Sequence, residues 1–401
     1  MPEKTRVHPP TDVGYAWIIV VASFVMQGCA IGVISSFGVF MEHYCNQVFV
    51  NEEKSRVAMI VNIAPVVLGL FSAVAGRICQ RFGVQVCVVV GAVVMMAGHV
   101  LASFGTEIWH FALTQGALIG IGSAFIYVPA NVAITEWFEK RRGLAAGLAA
   151  AGGGIGGVAF GQLNTQLLHA LELRVTLQIN GVIVLVVLLL SAALVRRRES
   201  HVAAGAEDMG FSSSLVFNGK FGWFAVSAFF GGCAYFIPLY FVNSHVVSLG
   251  MTRREAGYAG SAINIGSSVG RVGLGLLADH IGYMRCYLLT IALTAATTVL
   301  WRVSTTFGMF VVFGVLYGIP SGGYAGSFGP ICGTIFGRRQ LATMMGLINA
   351  FVGVGDLIGP VVAGLLIDNC QGYHPTIYFT VACYTAAFVA MAIASCYPKS
   401  S

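Results

Sequence analysis

Charge is what this sequence has least of. Asp, Glu, Lys and Arg make up 9% of its 401 residues, against 57% hydrophobic ones, whereas soluble domains carry about 25% charged residues. So few charges cannot cover a globule of this size with hydrated surface, and lipid is the expected solvent for most of the chain. A cytosolic enzyme, a nucleic-acid binder and a disordered tail are excluded on that ground. Catalytic patterns are missing as well. There is no His-Glu-x-x-His, no Gly-x-Ser-x-Gly and no paired Cys cluster, so nothing supports hydrolase or metal chemistry and no cofactor is implied. Ten cysteines, among them Cys29, Cys87, Cys233 and Cys383, lie mostly inside apolar runs and read as small buried side chains. Residues 1–12 contain Pro2, Pro9 and Pro10 and lack the charged start, apolar core and cleavage site of a removable leader, so the first apolar run is expected to stay.

Long apolar runs are what the chain has instead. A hydrocarbon core about 30 Å thick needs roughly 20 apolar residues at helical rise. Twelve such runs fit, at about 16–40, 57–76, 84–104, 109–135, 143–165, 175–195, 221–244, 256–278, 285–302, 307–335, 341–366 and 376–397. Unpaired backbone groups are too costly in lipid, so each is expected as a helix. With the N-terminus placed inside, the cytoplasmic segments hold fifteen Lys and Arg residues and the opposite side six, leaving Arg271 within the eighth run. That asymmetry predicts both termini to be cytoplasmic, and the net charge of +6 reads as an orientation signal rather than an affinity for nucleic acid.

The longest polar interruption, 196–220, divides the runs six and six. Across it Gly76-Arg77-Ile78-Cys79-Gln80-Arg81-Phe82-Gly83 matches Gly275-Leu276-Leu277-Ala278-Asp279-His280-Ile281-Gly282, and Arg141-Arg142-Gly143-Leu144-Ala145 matches Arg338-Arg339-Gln340-Leu341-Ala342. Both members of each pair fall on the same side, so the halves run parallel, related by an axis along the membrane normal. The expected architecture is an all-α integral membrane protein of twelve helices in two pseudo-symmetric six-helix bundles, 16–195 and 221–397. Residues 1–15, 196–220 and 398–401 are expected as cytoplasmic tails and central loop.

These motifs resemble the major facilitator superfamily, whose loop after the second helix of each half carries Gly-x-x-x-Asp-x-x-Gly. Gly275, Asp279 and Gly282 keep the pattern, and Gln80 replaces the acid in the first half. Asp12-Val13-Gly14-Tyr15-Ala16-Trp17 is similar to the entry of the first helix in the monocarboxylate transporter branch. Trp137-Phe138-Glu139-Lys140-Arg141-Arg142-Gly143-Leu144-Ala145-Ala146-Gly147 is similar to that branch's signature between helices four and five. Gly270-Arg271, and Gly359-Pro360 with Gly364 and Asp368, extend the likeness over essentially the whole chain. The resemblance implies transport of a small organic solute by alternating access, with Gly275, Asp279, Gly282, Arg81, Arg141 and Arg142 as conformational or gating residues. Two features of the lactate-carrying members are absent. The stretch Ile34-Ser35-Ser36-Phe37-Gly38-Val39-Phe40 has no Lys, and Ser267 stands where they have Asp. An accessory single-span partner is known for some relatives, and no residue here establishes one.

Arg271 is the main substrate candidate. A guanidinium at membrane depth costs from about 2.5 to 17 kcal/mol on an isolated helix. Eight residues before Asp279, it lies roughly 12 Å inside the cytoplasmic face. Its planar fork matches a carboxylate in two parallel hydrogen bonds; the alternative is a strut that ties helices together through carbonyls. Asp356 is the one carboxylate well inside a run. It is the candidate for proton coupling, against the alternative of a cap on a helix broken by Gly353, Gly355 and Pro360. Gln162, Asn164, Tyr235, Tyr240, Asn243, Tyr317 and Asn349 could line a path, but polar side chains also glue membrane helices together. Tyr127, Asn264 and Tyr324 are singled out as substrate contacts because the fourth, eighth and tenth helices line the path in proteins of this fold.

Glycines 143, 147, 152–154, 156 and 157 strip side chains from the fifth helix and predict close, sliding approach by a neighbour. Lys140, Arg141 and Arg142 are expected to orient the chain and to pair with Glu136 or Glu139. The expected function is secondary transport of a monocarboxylate or related organic anion, with a proton as a possible co-substrate, in a plasma membrane. A carrier of a neutral or larger solute, such as a vitamin or secondary metabolite, is the second reading. A non-transporting solute sensor is the third, opposed by short tails and a short central loop that leave no signalling domain.

Overall fold

The computed structural model describes residues 12–138, 141–195, 219–328, 331–332, 335, 341–370 and 372–396. Twelve long helical rods account for nearly all of them. They are α1 (Tyr15–Val48), α2 (Lys54–Phe82), α3 (Val84–Ala102), α4 (Ile108–Phe111, the π turn Ala112–Leu118 and Ile119–Trp137), α5 (Arg142–Ala170) and α6 (Leu173–Leu194). The second set is α7 (Gly219–Ser248), α8 (Arg253–Ile281), α9 (Tyr283–Val303), α10 (Phe307–Gly326), α11 (Leu341–Cys370) and α12 (His374–Cys396). Eleven of these are long and apolar enough to cross a bilayer among the described residues. The exception, α8, carries Arg253, Arg254, Glu255, Arg271 and Asp279. Its local chemistry is nevertheless helical. Thr252 Oγ1 accepts from Glu255 N–H at 3.3 Å while the Glu255 carboxylate accepts from Thr252 N–H at 2.8 Å, a reciprocal cap.

Internal repetition reappears in the backbone. α2 stops at Gly83 with φ 92° and α8 stops at Gly282 with φ 90°, a left-handed conformation that costs glycine little. The second repeated motif, at Arg338–Gln340, and the central loop to residue 218 lie outside the described residues. One expectation needs correcting. α11 is not broken by its glycines or by Pro360 but is helical from Leu341 to Cys370, so Asp356 sits mid-helix and caps nothing. Within a bundle, neighbouring helices can satisfy the carbonyl that a proline frees.

Alternation of direction gathers the helix ends at two faces. At the basic end, which carries Arg81, Arg141 and Arg285, Asp12 N–H donates to the Trp137 carbonyl at 3.2 Å and Tyr15 Oη donates to the Leu194 carbonyl at 2.7 Å. At the far end Tyr44 Oη donates to Gln115 Oε1 at 2.6 Å, and Trp301 Nε1 donates to His245 Nδ1 at 2.9 Å. Each bundle is thus laced within itself.

Glycine seams do the close packing. Within the first bundle, Gly28 and Gly32 of α1 lie on Gly152 and Gly156 of α5, where a Cβ on Gly156 would overlap the Gly28 backbone. A different face of α5 meets α8 of the second bundle. A Cβ on Gly147 would stand 2.7 Å from the Arg271 carbonyl oxygen, and one on Gly143 would overlap the Asp279 carboxylate. The close approach expected along this glycine stretch is therefore made on two faces, one holding α5 in its bundle and one forming the interface between bundles. We expect Gly143→Val to push α8 off α5 at the basic end. Spin labels at Phe82 and His280 should then report a longer mean separation, and an unchanged distribution would show that this contact does not hold the bundles together.

Candidate functional site

Arg271 lies where the bundles meet. Its side chain is 6% exposed, and its partners come from two different helices. Nη1 donates to the Ala150 carbonyl of α5 at 2.7 Å and Nη2 donates to the Tyr235 hydroxyl of α7 at 3.3 Å, while Nε is buried without a partner. Gly153 makes room for the fork, since a Cβ there would stand 2.7 Å from Nη1. One guanidinium therefore spans both bundles and retains a donor with nothing to bond.

The neighbourhood follows from helix faces. Tyr127 of α4 is half-buried and within charge–charge range of Arg271. Asn264, also half-buried, lies on the α5-facing side of α8, with Nδ2 donating to the Gly260 carbonyl at 3.3 Å and Oδ1 against Gly157. Tyr324 is placed differently. It is 1% exposed, its hydroxyl donates to the Ala228 carbonyl at 3.3 Å, and its ring packs against Tyr287 and Tyr235 inside the second bundle. Tyr235, one of the broader set of path residues, is the tyrosine that touches Arg271. Ser267 faces α10 beside Gly318 and Gly322, on a different face of α8 from the one that meets α5.

Asp356 is 5% exposed and its Oδ1 has no hydrogen-bond partner. No ion pair joins it to Arg271 among the described residues. Tyr240 and Tyr324 are within charge–charge range of it. Two oppositely charged side-chain types thus sit in the interior without neutralising each other, an arrangement that is expensive to maintain in lipid and marks solute or ion pathways.

Gating candidates fall at the basic end. The Asp279 carboxylate of α8 lies over Gly143 in the first turn of α5 and accepts from Tyr283 Oη at 2.6 Å. A carboxylate suits the partial positive charge of a helix start. Gly275 lies 3.4 Å, by its Cβ position, from the Gly143 carbonyl oxygen. Arg141 is exposed, and its backbone N–H donates to Asp12 Oδ1 at 3.0 Å. Arg81 is exposed with its guanidinium 5.4 Å from the Phe82 ring centre. The Arg142 side chain, with Glu139 and Lys140, lies outside the described residues, so the expected pairing of that basic cluster does too. At the far end Arg253 of α8 forms an ion pair at 2.9 Å with Glu42 of α1, again between bundles.

Asn62 of α2 was absent from the sequence candidates. It is wholly buried, and neither its Oδ1 nor its Nδ2 has a partner. The signal was an amide alone in the run Val57–Phe71. Ala150 had no signal at all, because a backbone carbonyl leaves no trace in residue identity.

Two helix bundles in contact along glycine seams, with a buried cation and a buried carboxyl between them, define a multi-pass membrane transporter. The Major Facilitator Superfamily model matches residues 16–263 and 246–399. The chain is 29% identical over 379 residues to monocarboxylate transporter 13 of Rattus norvegicus, covering 94% of this chain and 87% of the relative. It is 27% identical over 352 residues to the agnestins efflux protein AgnL12 of Paecilomyces divaricatus, covering 88% and 81%. In fold it is similar to the E. coli fucose:proton symporter FucP, with a TM-score of 0.67 at 15% identity, covering 96% of this chain and 98% of the other. The chain belongs to the Major Facilitator Superfamily, among its monocarboxylate transporter-like members.

Proposed function

We propose that this transporter carries a small organic anion, a monocarboxylate or a related acid, across a plasma membrane, with Arg271 holding the carboxylate and Asp356 carrying a coupled proton. The observation that carries the reading is the Arg271 fork, buried at the interface with Nη1 on the Ala150 carbonyl and Nε unpartnered. A carboxylate reaching this fork competes with Ala150 for Nη1. A charge-assisted bond to an anion is roughly twice as strong as a neutral one, so the bound solute releases α5 from α8 at mid-membrane. Binding then favours one bundle arrangement over the other, which is what alternating access requires of a solute. In this reading Tyr127 and Asn264 supply further contacts at the interface between bundles, and Tyr324 acts behind Tyr235 by packing.

In this scheme residues 16–195 and 221–397 rock as units, with both termini on the cytoplasmic side. Asp279 on Gly143 closes the basic end and the Glu42–Arg253 pair closes the far end. The resulting mechanism needs no ATP and no covalent step.

A second reading, carriage of a neutral or larger solute, draws support from the missing Lys in α1 and from a relative named for agnestins efflux. One experiment separates the two. Purified protein in liposomes is offered labelled monocarboxylates, hydroxy acids and neutral solutes, with and without an inward proton gradient. We expect saturable uptake of carboxylates that excess unlabelled carboxylate suppresses. Uptake that ignores both carboxylate competitors and the proton gradient would establish the second reading, and binding without flux would establish a sensor.

A further inference from the structure

Three contacts fix how α2 lies against α11. Gly346 packs on Ala73, Gly69 packs on the Asn349 carbonyl, and Gly353 packs on Pro65 and Val66. Along α2 the contact positions step back through 73, 69 and 66, and along α11 they advance through 346, 349 and 353. These are the alternating three- and four-residue steps of a helix seam. Continuing both series by one layer reaches Asn62 on α2 and Asp356 on α11. The seam therefore brings together, from opposite bundles, two polar side chains that are 0% and 5% exposed.

Helix geometry also fixes the direction of Asp356. At about 100° per residue, Gly353 marks the side of α11 that faces α2. Gly355 and Gly359 pack on Phe229 and Cys233 and mark the side that faces α7. Asp356 falls between these directions, roughly 60° from the first, and so points into the wedge between α2 and α7. From α7, Tyr240 is 4% exposed, has an unpartnered hydroxyl, and is within charge–charge range of Asp356. Asn62 Oδ1 and Nδ2, Asp356 Oδ1 and Tyr240 Oη are all buried, and none has a hydrogen-bond partner. A fold that left four such atoms without a use would bear the desolvation of each with no hydrogen bond in return.

We propose that Asn62, Tyr240 and Asp356 form a second polar subsite, at the junction of α2, α7 and α11, which hydrogen-bonds a hydroxyl or carbonyl group of the solute. This rests on the assignment of the carboxylate to Arg271 and names the solute class more closely. Tyr235, which holds the Arg271 fork, is near enough to Tyr240 to influence it as well, so the two subsites share an aromatic neighbour. The preferred solute is an acid with a second oxygen function at the end of a spacer, not a plain alkyl monocarboxylate. Asn62 is a specificity-determining residue in this scheme.

The test uses full-length protein in liposomes and measures competition against an uptake substrate by plain carboxylates and by their ω-hydroxy counterparts, from hydroxypropionate to hydroxyoctanoate. At one chain length or more, the hydroxy acid should compete about three- to tenfold better than its plain counterpart, the worth of one or two added hydrogen bonds. Asn62→Leu and Tyr240→Phe should each bring the hydroxy acid down toward the plain acid. Tyr240→Phe keeps the ring stacked on Phe236 and so guards against simple misfolding. No preference at any length in the wild type, or a preference that survives in both variants, overturns the subsite. A preference that disappears in both variants while Arg271→Lys competes as wild type keeps the subsite and removes Arg271 from the carboxylate.

Discussion

Arg271→Ala should lower solute uptake by roughly thirtyfold to several thousandfold, the scale on which removing a charged partner from a buried pair costs about 2–5 kcal/mol, with the protein still in the membrane. Arg271→Lys should recover only part of the loss, because an ammonium keeps the charge but not the two-pronged geometry that matches a carboxylate. The competing account makes Arg271 a strut, since Nη1 already holds the Ala150 carbonyl and Nη2 the Tyr235 hydroxyl. The two accounts part on a measurable quantity. A strut that is removed lowers the thermal midpoint of the detergent-purified protein, and uptake falls only with the folded fraction. A binding group that is removed raises KM or abolishes flux at an unaltered midpoint. Lys can still donate to the Ala150 carbonyl, so full uptake by Arg271→Lys would refute two-pronged anion capture.

Much of this site could be read in the residues, for reasons that also explain what could not. A charge inside a long apolar run is costly wherever it points, so Arg271 and Asp356 were visible without coordinates. The repeat at Gly83 and Gly282 was visible because a left-handed helix stop leaves glycine behind at both copies. The eighth helix is the weakest of the twelve by hydropathy, although the run 256–278 is long enough to be counted with the others. Directions were not legible. Tyr127 and Tyr324 were equal candidates at mid-span, yet Tyr127 lies near enough to Arg271 to feel its charge while Tyr324 is turned into its own bundle, where Gly231 of α7 admits its ring. Nor was the proposed grouping of Asn62 with Asp356 legible. It rests on the α2–α11 seam, whose contacts at Gly69, Gly346 and Gly353 carry no chemical signature in the sequence.

Asp356→Asn should uncouple transport from protons while leaving exchange in place. Asn is nearly isosteric with a protonated carboxyl and still hydrogen-bonds, so solute should continue to swap across a liposome membrane with no gradient imposed. What Asn lacks is a group that gains and loses a proton. In the wild type each unit of inward pH gradient supplies about 1.4 kcal/mol per proton, enough for roughly tenfold accumulation; the variant should accumulate nothing. Asp356→Glu, which keeps a titratable carboxyl, should retain part of the drive. The position supports this reading. Asp356 is buried, its Oδ1 is unpartnered, and no ion pair with Arg271 fixes its charge. A carboxylate locked to the guanidinium would stay ionised throughout a cycle and could carry no proton, whereas one that faces the wedge between bundles meets each side of the membrane in turn. Gradient-driven accumulation that is undiminished in Asp356→Asn would take the proton away from this residue. Loss of exchange and accumulation together, at an unaltered thermal midpoint, would instead show that solute binding itself requires the negative charge of Asp356.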